Sequence, residues 1–349
     1  VPRFVTVNNV GSYTRRAGGI NDLLSQATSA LGGVQPLHYW DFTTNRALFA
    51  GADVGAVTAT PGWSFTRATV GSAEDLAGNI VQFSSGQIRR TDRGLLIEGA
   101  RTNLFLNSAT GSTQSITVTA AAHTLSFRGT GTITLTGTST AGPLVGSGAN
   151  TRVTLTFTPT AGSLTLTVTG SCTNVQLELG AFASSWIPTA GTSVTRNVDL
   201  AAVSSPGVTY PLSLFVWIDR SSDSGIGSVF FEVDNNTNDE RAAIVVNAAD
   251  LPTASSTNAA VVQSSISIGS ALATGVSSKA AGRYALNDMQ AARDGALGTA
   301  DTVATLPVTP TFIRFGEIAS TGVPAWGYIR RAAIFNSALA DAALQAVTT

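Results

Sequence analysis

The stretch Ser171–Arg196 reads SCTNVQLELGAFASSWIPTAGTSVTR, and it decides the fold because it closes one apolar-alternating segment and hands the chain to a second, differently patterned one. Upstream, RGLLIEGARTNLFLNS (Arg93–Ser108) opens the segment that this stretch closes. Between the two, Thr alternates with Val, Leu, Ile or Phe. Val153, Leu155 and Phe157 point one way while Thr154, Thr156 and Thr158 point the other, and Leu164, Leu166 and Val168 repeat the pattern. A period of two marks half-buried strands. Pro159, Thr160, Ala161 and Gly162 join the two runs with turn chemistry, which predicts a hairpin. Each of those apolar side chains would contribute roughly 1.5 to 3 kcal/mol if buried. A β-sandwich follows.

At 349 residues the chain is long enough for two or three domains with their own cores. Charged residues make up only 12% and formal net charge is −1, so solubility must come from hydroxyls. That balance offers no electrostatic pull on nucleic acid or an anionic membrane. Lys279 is the only lysine; the remaining basic residues are arginines. Cys172 is the sole cysteine, which excludes an intramolecular disulfide and predicts a packing role. No apolar run approaches the ~18 residues of a membrane span, and the first residues lack the plan of a signal peptide.

Residues 1–34 read as an attachment arm, with Arg3, Arg15 and Arg16, followed by a short helix. Ile20, Leu23, Leu24, Ala27 and Leu31 form its apolar stripe, with Asn21 as the expected N-cap and Gly32 after its end. The stripe predicts burial on the following domain, on other copies of the chain or on a partner. From Gln35 the text runs QPLHYWDFTTNRALFAG and then WSFTRATVG. His38, Tyr39, Trp40 and Asp41 are either a core anchor or a surface for stacking a sugar ring.

The set DFTTNRA, FTRATV, GLLIEGARTNL and SSWIPTAGTSVTR resembles the signature of tailed-phage and gene transfer agent fibre and head-spike proteins. That resemblance implies a carbohydrate-binding-like β-sandwich over residues 35–203, with Trp186 as a core plug. After Pro211, the runs LSLFVWIDR, GSVFFEVDN, ERAAIVVNA, TFIRFGEI and WGYIRRAAIFNSALADAALQAVT give a second strand set. The last run resembles the end of concanavalin A-like (laminin G-like) lectin domains, implying a lectin domain at 208–349. Its closing helix is expected from Ser337, with Asp341 in the first turn and Ala340, Leu344 and Val347 along one face. The expected fold is mainly β: two antiparallel β-sandwich (jelly-roll) domains in tandem behind an N-terminal arm and helix.

Strand period puts Glu232, Asp234 and Asn236 on one face, and this run resembles the alternating carboxylates of concanavalin-like glycanases. A retaining glycosidase needs two carboxyl groups about 5 to 5.5 Å apart, and position 236 is Asn, so no catalytic residue is expected. Asp234, Asp239 and Glu240 are the candidate ligands for a hard cation such as Ca²⁺. His38 and His123 stand in no metalloprotease or triad setting. Trp326 and Tyr328, flanked by Arg314, Glu317 and Arg330, are the candidate carbohydrate-binding residues, because sugars stack on aromatic faces beside polar anchors. The resemblance implies a virion adhesin, made in the bacterial cytoplasm, that binds host capsule or lipopolysaccharide. Its N-terminal region would contact capsid or tail proteins. The scarcity of charge to guard edge strands, the short apolar helix stripe and the avidity that weak sugar sites need predict a homo-oligomer, and the resemblance implies a trimer. The alternatives are a capsule or exopolysaccharide hydrolase and a purely structural decoration protein.

Overall fold

A computed structural model describes residues 21–221, 227–319 and 324–349; the expected arm and Ile20 lie outside the described residues. Among the described residues a ten-stranded and a seven-stranded antiparallel sheet form the two layers of the larger sandwich. Their inner faces meet over one core that includes Trp40, Phe42, Phe231, Ile313, Phe315 and Ile329. Trp40 sets its ring edge-on to Phe315 at 5.1 Å, and its indole N–H donates to Thr60 Oγ1 at 3.0 Å. The His38–Asp41 strand is buried along its whole length, so the aromatic cluster of that stretch is core and not a sugar platform.

The expected division into 35–203 and 208–349 does not match the strand pairing. His38–Asp41 pairs with Gly327–Phe335, with Tyr39 opposite Ala333. Gly94–Ile97 joins the same strand. In the other layer Trp63–Thr66 pairs with Leu200–Ser204, which in turn pairs with Phe312–Phe315. The early and late parts of the chain therefore build one sandwich together. Edge groups of a late strand such as Gly327–Phe335 need partners, and the early strands supply them.

Residues between Arg101 and Arg196 form a second, smaller sandwich inserted into the first. One sheet holds Gln114–Val118, Gly162–Thr169, Thr132–Gly137 and Leu144–Val145; the other holds Gly148–Phe157, His123–Gly129 and Cys172–Leu179. The apolar set predicted from the alternation points inward: Leu164 and Leu166 are fully buried, Phe157 nearly so, and Val153, Leu155 and Val168 pack against them. The expected hairpin at Pro159–Gly162 is absent, because its two runs belong to opposite sheets: Leu155 lies opposite Leu125 and Leu166 opposite Leu135. Alternation identifies the buried face of each strand but leaves its neighbour open. Cys172 is buried, as expected.

The insert leaves and rejoins the larger sandwich through a two-stranded ribbon, Arg101 opposite Arg196 and Asn103 opposite Val194. Asn103 pins the ribbon: its Nδ2 donates to the Val175 and Ile187 carbonyls, and its Oδ1 accepts from Phe105 and Leu177 N–H. Beside the ribbon lies a buried ionic network. Arg89 Nη1 reaches Glu98 at 2.7 Å, the Ser72 carbonyl at 2.8 Å and Ser185 Oγ at 2.7 Å, while Arg89 Nε and Nη2 engage Asp199. Arg67 adds a second contact to Asp199 at 3.0 Å, and Arg196 a second to Glu98 at 2.8 Å. Burial alone would raise the Glu98 carboxyl, but the Arg196 and Arg89 guanidiniums more than offset it and hold the group at about 2.

Both helices pack on the outer face of the ten-stranded sheet. Leu23, Ala27 and Leu31 of the first helix and Leu344 and Val347 of the second bury against Phe215, Ala333 and Phe335. The stripe predicted for Asn21–Ala30 thus finds its cover within the chain. Gly32 takes φ +63°, and a Cβ there would meet the main chain of Ala346 at 2.7 Å, so only glycine lets the two helices approach. The last helix spans Asp341–Thr348 with Ala340 as N-cap, starting later than expected; Ser337 instead offers its carbonyl to Ser213 Oγ at 2.9 Å.

Two outcomes follow from the interleaved topology. A fragment of residues 208–349 should aggregate or remain unfolded by circular dichroism and size exclusion, because it lacks the strands that pair with Gly327–Phe335 and Phe312–Phe315. A monodisperse, β-rich fragment would contradict the pairing. Replacing Glu98 by Ala should cost about 3 to 5 kcal/mol in urea unfolding, the usual penalty for stripping one partner from a buried ionic cluster; a loss under about 1 kcal/mol would show that the network is dispensable.

Candidate functional site

The five residues proposed for carbohydrate contact do not converge. Trp326, only 7% exposed, adopts φ +48° and lies in the seam between the two sandwiches. Its ring meets Phe182 edge-on at 4.9 Å, and the Arg101 guanidinium lies over it at 4.7 Å. A Cβ at Gly99 would come within 2.6 Å of that ring. Tyr328 is buried beneath the hairpin of Gly71–Glu74 and Ile80–Phe83, where its hydroxyl exchanges hydrogen bonds with the Glu74 main chain at 3.1 Å. Burial pushes its phenol well above the ordinary range. Arg314 and Glu317 belong to the other layer, and Arg330 lies over Trp217.

On the seven-stranded sheet Glu232 and Asp234 do share a face, but both are sealed from solvent. Arg314 Nε donates to Asp234 at 2.8 Å and its Nη2 to Asn236 Oδ1 at 2.7 Å. Among the described residues no N–H donor reaches either oxygen of Glu232; Arg241 and Arg314 approach no closer than 3.7 and 4.0 Å. Burial, reinforced by Asp234, lifts Glu232 well above the carboxylate range. Tertiary structure adds a third acid that spacing did not show: Glu317, 3% exposed, with Oε2 unpartnered among the described residues. Burial raises it to about 8, against the pull of Arg314.

The proposed cation ligands also separate. Asp234 is taken by Arg314, and Glu240 accepts the Ala259 and Val308 N–H groups at 2.8 and 3.0 Å. Among the described residues no group of three or more His, Cys, Asp or Glu side chains is placed to hold a metal. The Ca²⁺ expectation for Asp234, Asp239 and Glu240 is therefore corrected: Asp234 and Glu240 are spent on guanidinium and main-chain donors, and among the described residues the three carboxylates are not gathered into one site.

The open chemistry lies on the outer face of the ten-stranded sheet. Helices cover one end of this face through Phe215 and Phe335, and the Gly71–Phe83 hairpin covers the other through Leu96 and Tyr328. Between them Trp217 is half-buried, with Lys279 opposite it on one neighbouring strand and Arg331 opposite it on the other. A bulge follows directly: Trp217 faces Arg331, yet Ile218 faces Ile329. Ile329 and Ala332 are both core residues three positions apart, so Arg330 is the extra residue and stands on the outer side with Arg331. The three cations gather over one indole: Arg330 at 4.5 Å, Arg331 at 5.2 Å and Lys279 at 5.3 Å from its centroid. Of these residues only Arg330 was picked out from the sequence. The adjacent pair in YIRRAA, which breaks the strand alternation, was the available signal.

No protein-family model and no curated protein matches the chain. Solved structures align with part of it. The Ruminococcus gnavus IT-sialidase CBM40 is 16% identical over 40% of this chain and 82% of that one, with a TM-score of 0.33. The native heptameric SAP-like pentraxin from Limulus polyphemus is 11% identical over 41% and 79%, with a TM-score of 0.31. Trypanosoma rangeli sialidase is 13% identical over 42% and 25%, with a TM-score of 0.34. Alignments this partial establish neither family nor function.

The buried acids carry a pH signature. Glu317 ordinarily titrates near 4.5 and is raised to about 8 in the fold, so between those values the folded chain keeps a proton that the unfolded chain has lost. Its contribution is full below the unfolded value and is lost as pH rises through the folded one. Urea midpoints at about pH 5 and about pH 9 should fall less steeply for Glu317→Gln than for the parent. Parallel pH dependences would refute the assignment.

Proposed function

We propose that the chain is a carbohydrate-binding adhesin without catalytic activity, carried on a tailed-phage or gene-transfer-agent particle, which attaches that particle to a bacterial surface polysaccharide. The observation that carries the binding part is the strip around Trp217 that the described residues leave uncovered, set on a sheet whose flanks are capped by helices and a hairpin. The strip combines an aromatic surface with cationic and hydroxyl donors, including Ser277, which takes the Trp217 N–H at 3.3 Å. The absence of turnover is argued from Glu232 and Asp234, which are buried at 0% and 1% exposure and held beside Arg314, out of reach of a polymer chain. The particle assignment rests on the resemblance of the DFTTNRA, FTRATV, GLLIEGARTNL and SSWIPTAGTSVTR set. Homo-oligomerisation is part of the proposal: the Val261–Ser267 edge strand leaves Val261 and Val262 about three-fifths exposed, at 59% and 61%, and such an edge invites pairing. Several weak sites on one particle would also raise avidity.

The full chain should bind a subset of purified capsular polysaccharides and lipopolysaccharides on an array and release no reducing sugar from them. Absence of binding to every glycan and to host cells would remove the adhesin reading. Release of reducing ends that Glu232→Gln abolishes would replace it with a hydrolase.

A further inference from the structure

We infer that the Trp217 cluster is an anion-recognition site, and that the glycan it takes is acidic, bearing carboxylate groups along the polymer. This deepens the adhesin reading and rests on it. The argument is one of unmatched charge. The chain has few cations, 20 Lys and Arg together, and three of them, including the only lysine, surround one ring.

Like charges so close repel, and the groups facing them answer only part of that. Arg331 is matched by Asp41, with Nε donating at 3.0 Å, and Asp41 is otherwise occupied by Thr43 and Thr44. Asp219, two residues along the Trp217 strand, accepts from Arg93 through Oδ2 at 3.1 Å, and its buried Oδ1 has no hydrogen-bond partner among the described residues. Asp294, across from Lys279, is taken by Ser278, Arg293 and the Lys279 main-chain N–H. That leaves Arg330 with no carboxylate partner among the described residues and with Nε unpartnered, while Lys279 Nζ donates to a main-chain oxygen of Thr349 at 2.7 Å.

The indole offers its negative ring face to all three and so holds them in place without neutralising them. The bulge that adds Arg330 brings a second guanidinium to the ring that Arg331 also meets, and a planar guanidinium can grip a carboxylate with paired hydrogen bonds. Such an arrangement prefers an anionic sugar to a neutral one because only the anion completes the charge.

Folded full-length chain would be tested by biolayer interferometry against polygalacturonate, dextran sulfate and neutral dextran. Retention of polygalacturonate over dextran is expected. Arg330→Gln and Lys279→Gln should each weaken it about tenfold, while Arg46→Gln, which removes a half-buried arginine of the same sheet away from Trp217, should leave it unchanged. Equal binding of dextran, or an unaffected Arg330→Gln/Lys279→Gln double variant, would overturn the acidic site but leave the adhesin reading standing. Equal loss with Arg46→Gln, stronger capture of dextran sulfate that these substitutions do not touch, or stronger capture of duplex DNA would reduce the effect to general charge attraction and also overturn it. If no polysaccharide and no host cell is bound, both readings fall together.

Discussion

The guanidinium of Arg89, closed off from water between Glu98 and Asp199, is the contact on which the two sandwiches depend. Moving unpaired charges into a protein interior costs several kcal/mol each, and the cost is offset only when every donor and acceptor finds a partner. Here the partners come from both bodies. Ser72, Glu98 and Asp199 belong to the larger sandwich and Ser185 to the insert, with Arg196 at the end of the ribbon that joins them. Apart from Arg196 Nε, which has no partner among the described residues, these groups are satisfied only when insert and host are docked in this way, so the network fixes their mutual geometry more strictly than apolar packing alone would.

That rigidity governs which surfaces remain open. Trp326, Arg101 and Phe182 are consumed by the seam, and Tyr328 by the hairpin above it. On the ten-stranded sheet the helices and the hairpin leave one strip between them, and a single bulged residue sets its chemistry. Without the extra position Arg330 and Arg331 would point to opposite faces, one into the core. The bulge turns a pair that would be unfavourable in a regular strand into two cations beside one indole. The opposite layer shows the reverse case. Glu232, Asp234 and Glu317 are drawn together with Arg314 out of solvent, and their raised proton affinities are a matter of stability, read as pH dependence.

Much was determined by the sequence alone, and it was the local part. Period two identified strands and their buried faces, as Leu164, Leu166 and Phe157 show; the stripe Leu23, Ala27 and Leu31 identified a helix; and Cys172 was rightly placed in a core. These follow from side-chain geometry within a few residues. The motifs GLLIEGARTNL and SSWIPTAGTSVTR were legible as landmarks, but their work was not: Glu98, Asn103, Ser185 and Arg196 are joint residues. Only the tertiary structure decided which strands are neighbours, because hydrogen-bonded ladders are indifferent to distance along the chain. His38–Asp41 could therefore pair with Gly327–Phe335, and the hairpin expected at Pro159–Gly162 could become a crossing between sheets. The same indifference dispersed the expected cluster of Trp326, Tyr328, Arg314, Glu317 and Arg330 and assembled another from Trp217, Lys279, Arg330 and Arg331. A binding surface is set by what covers each face of a sheet, and cover is a property of the whole fold.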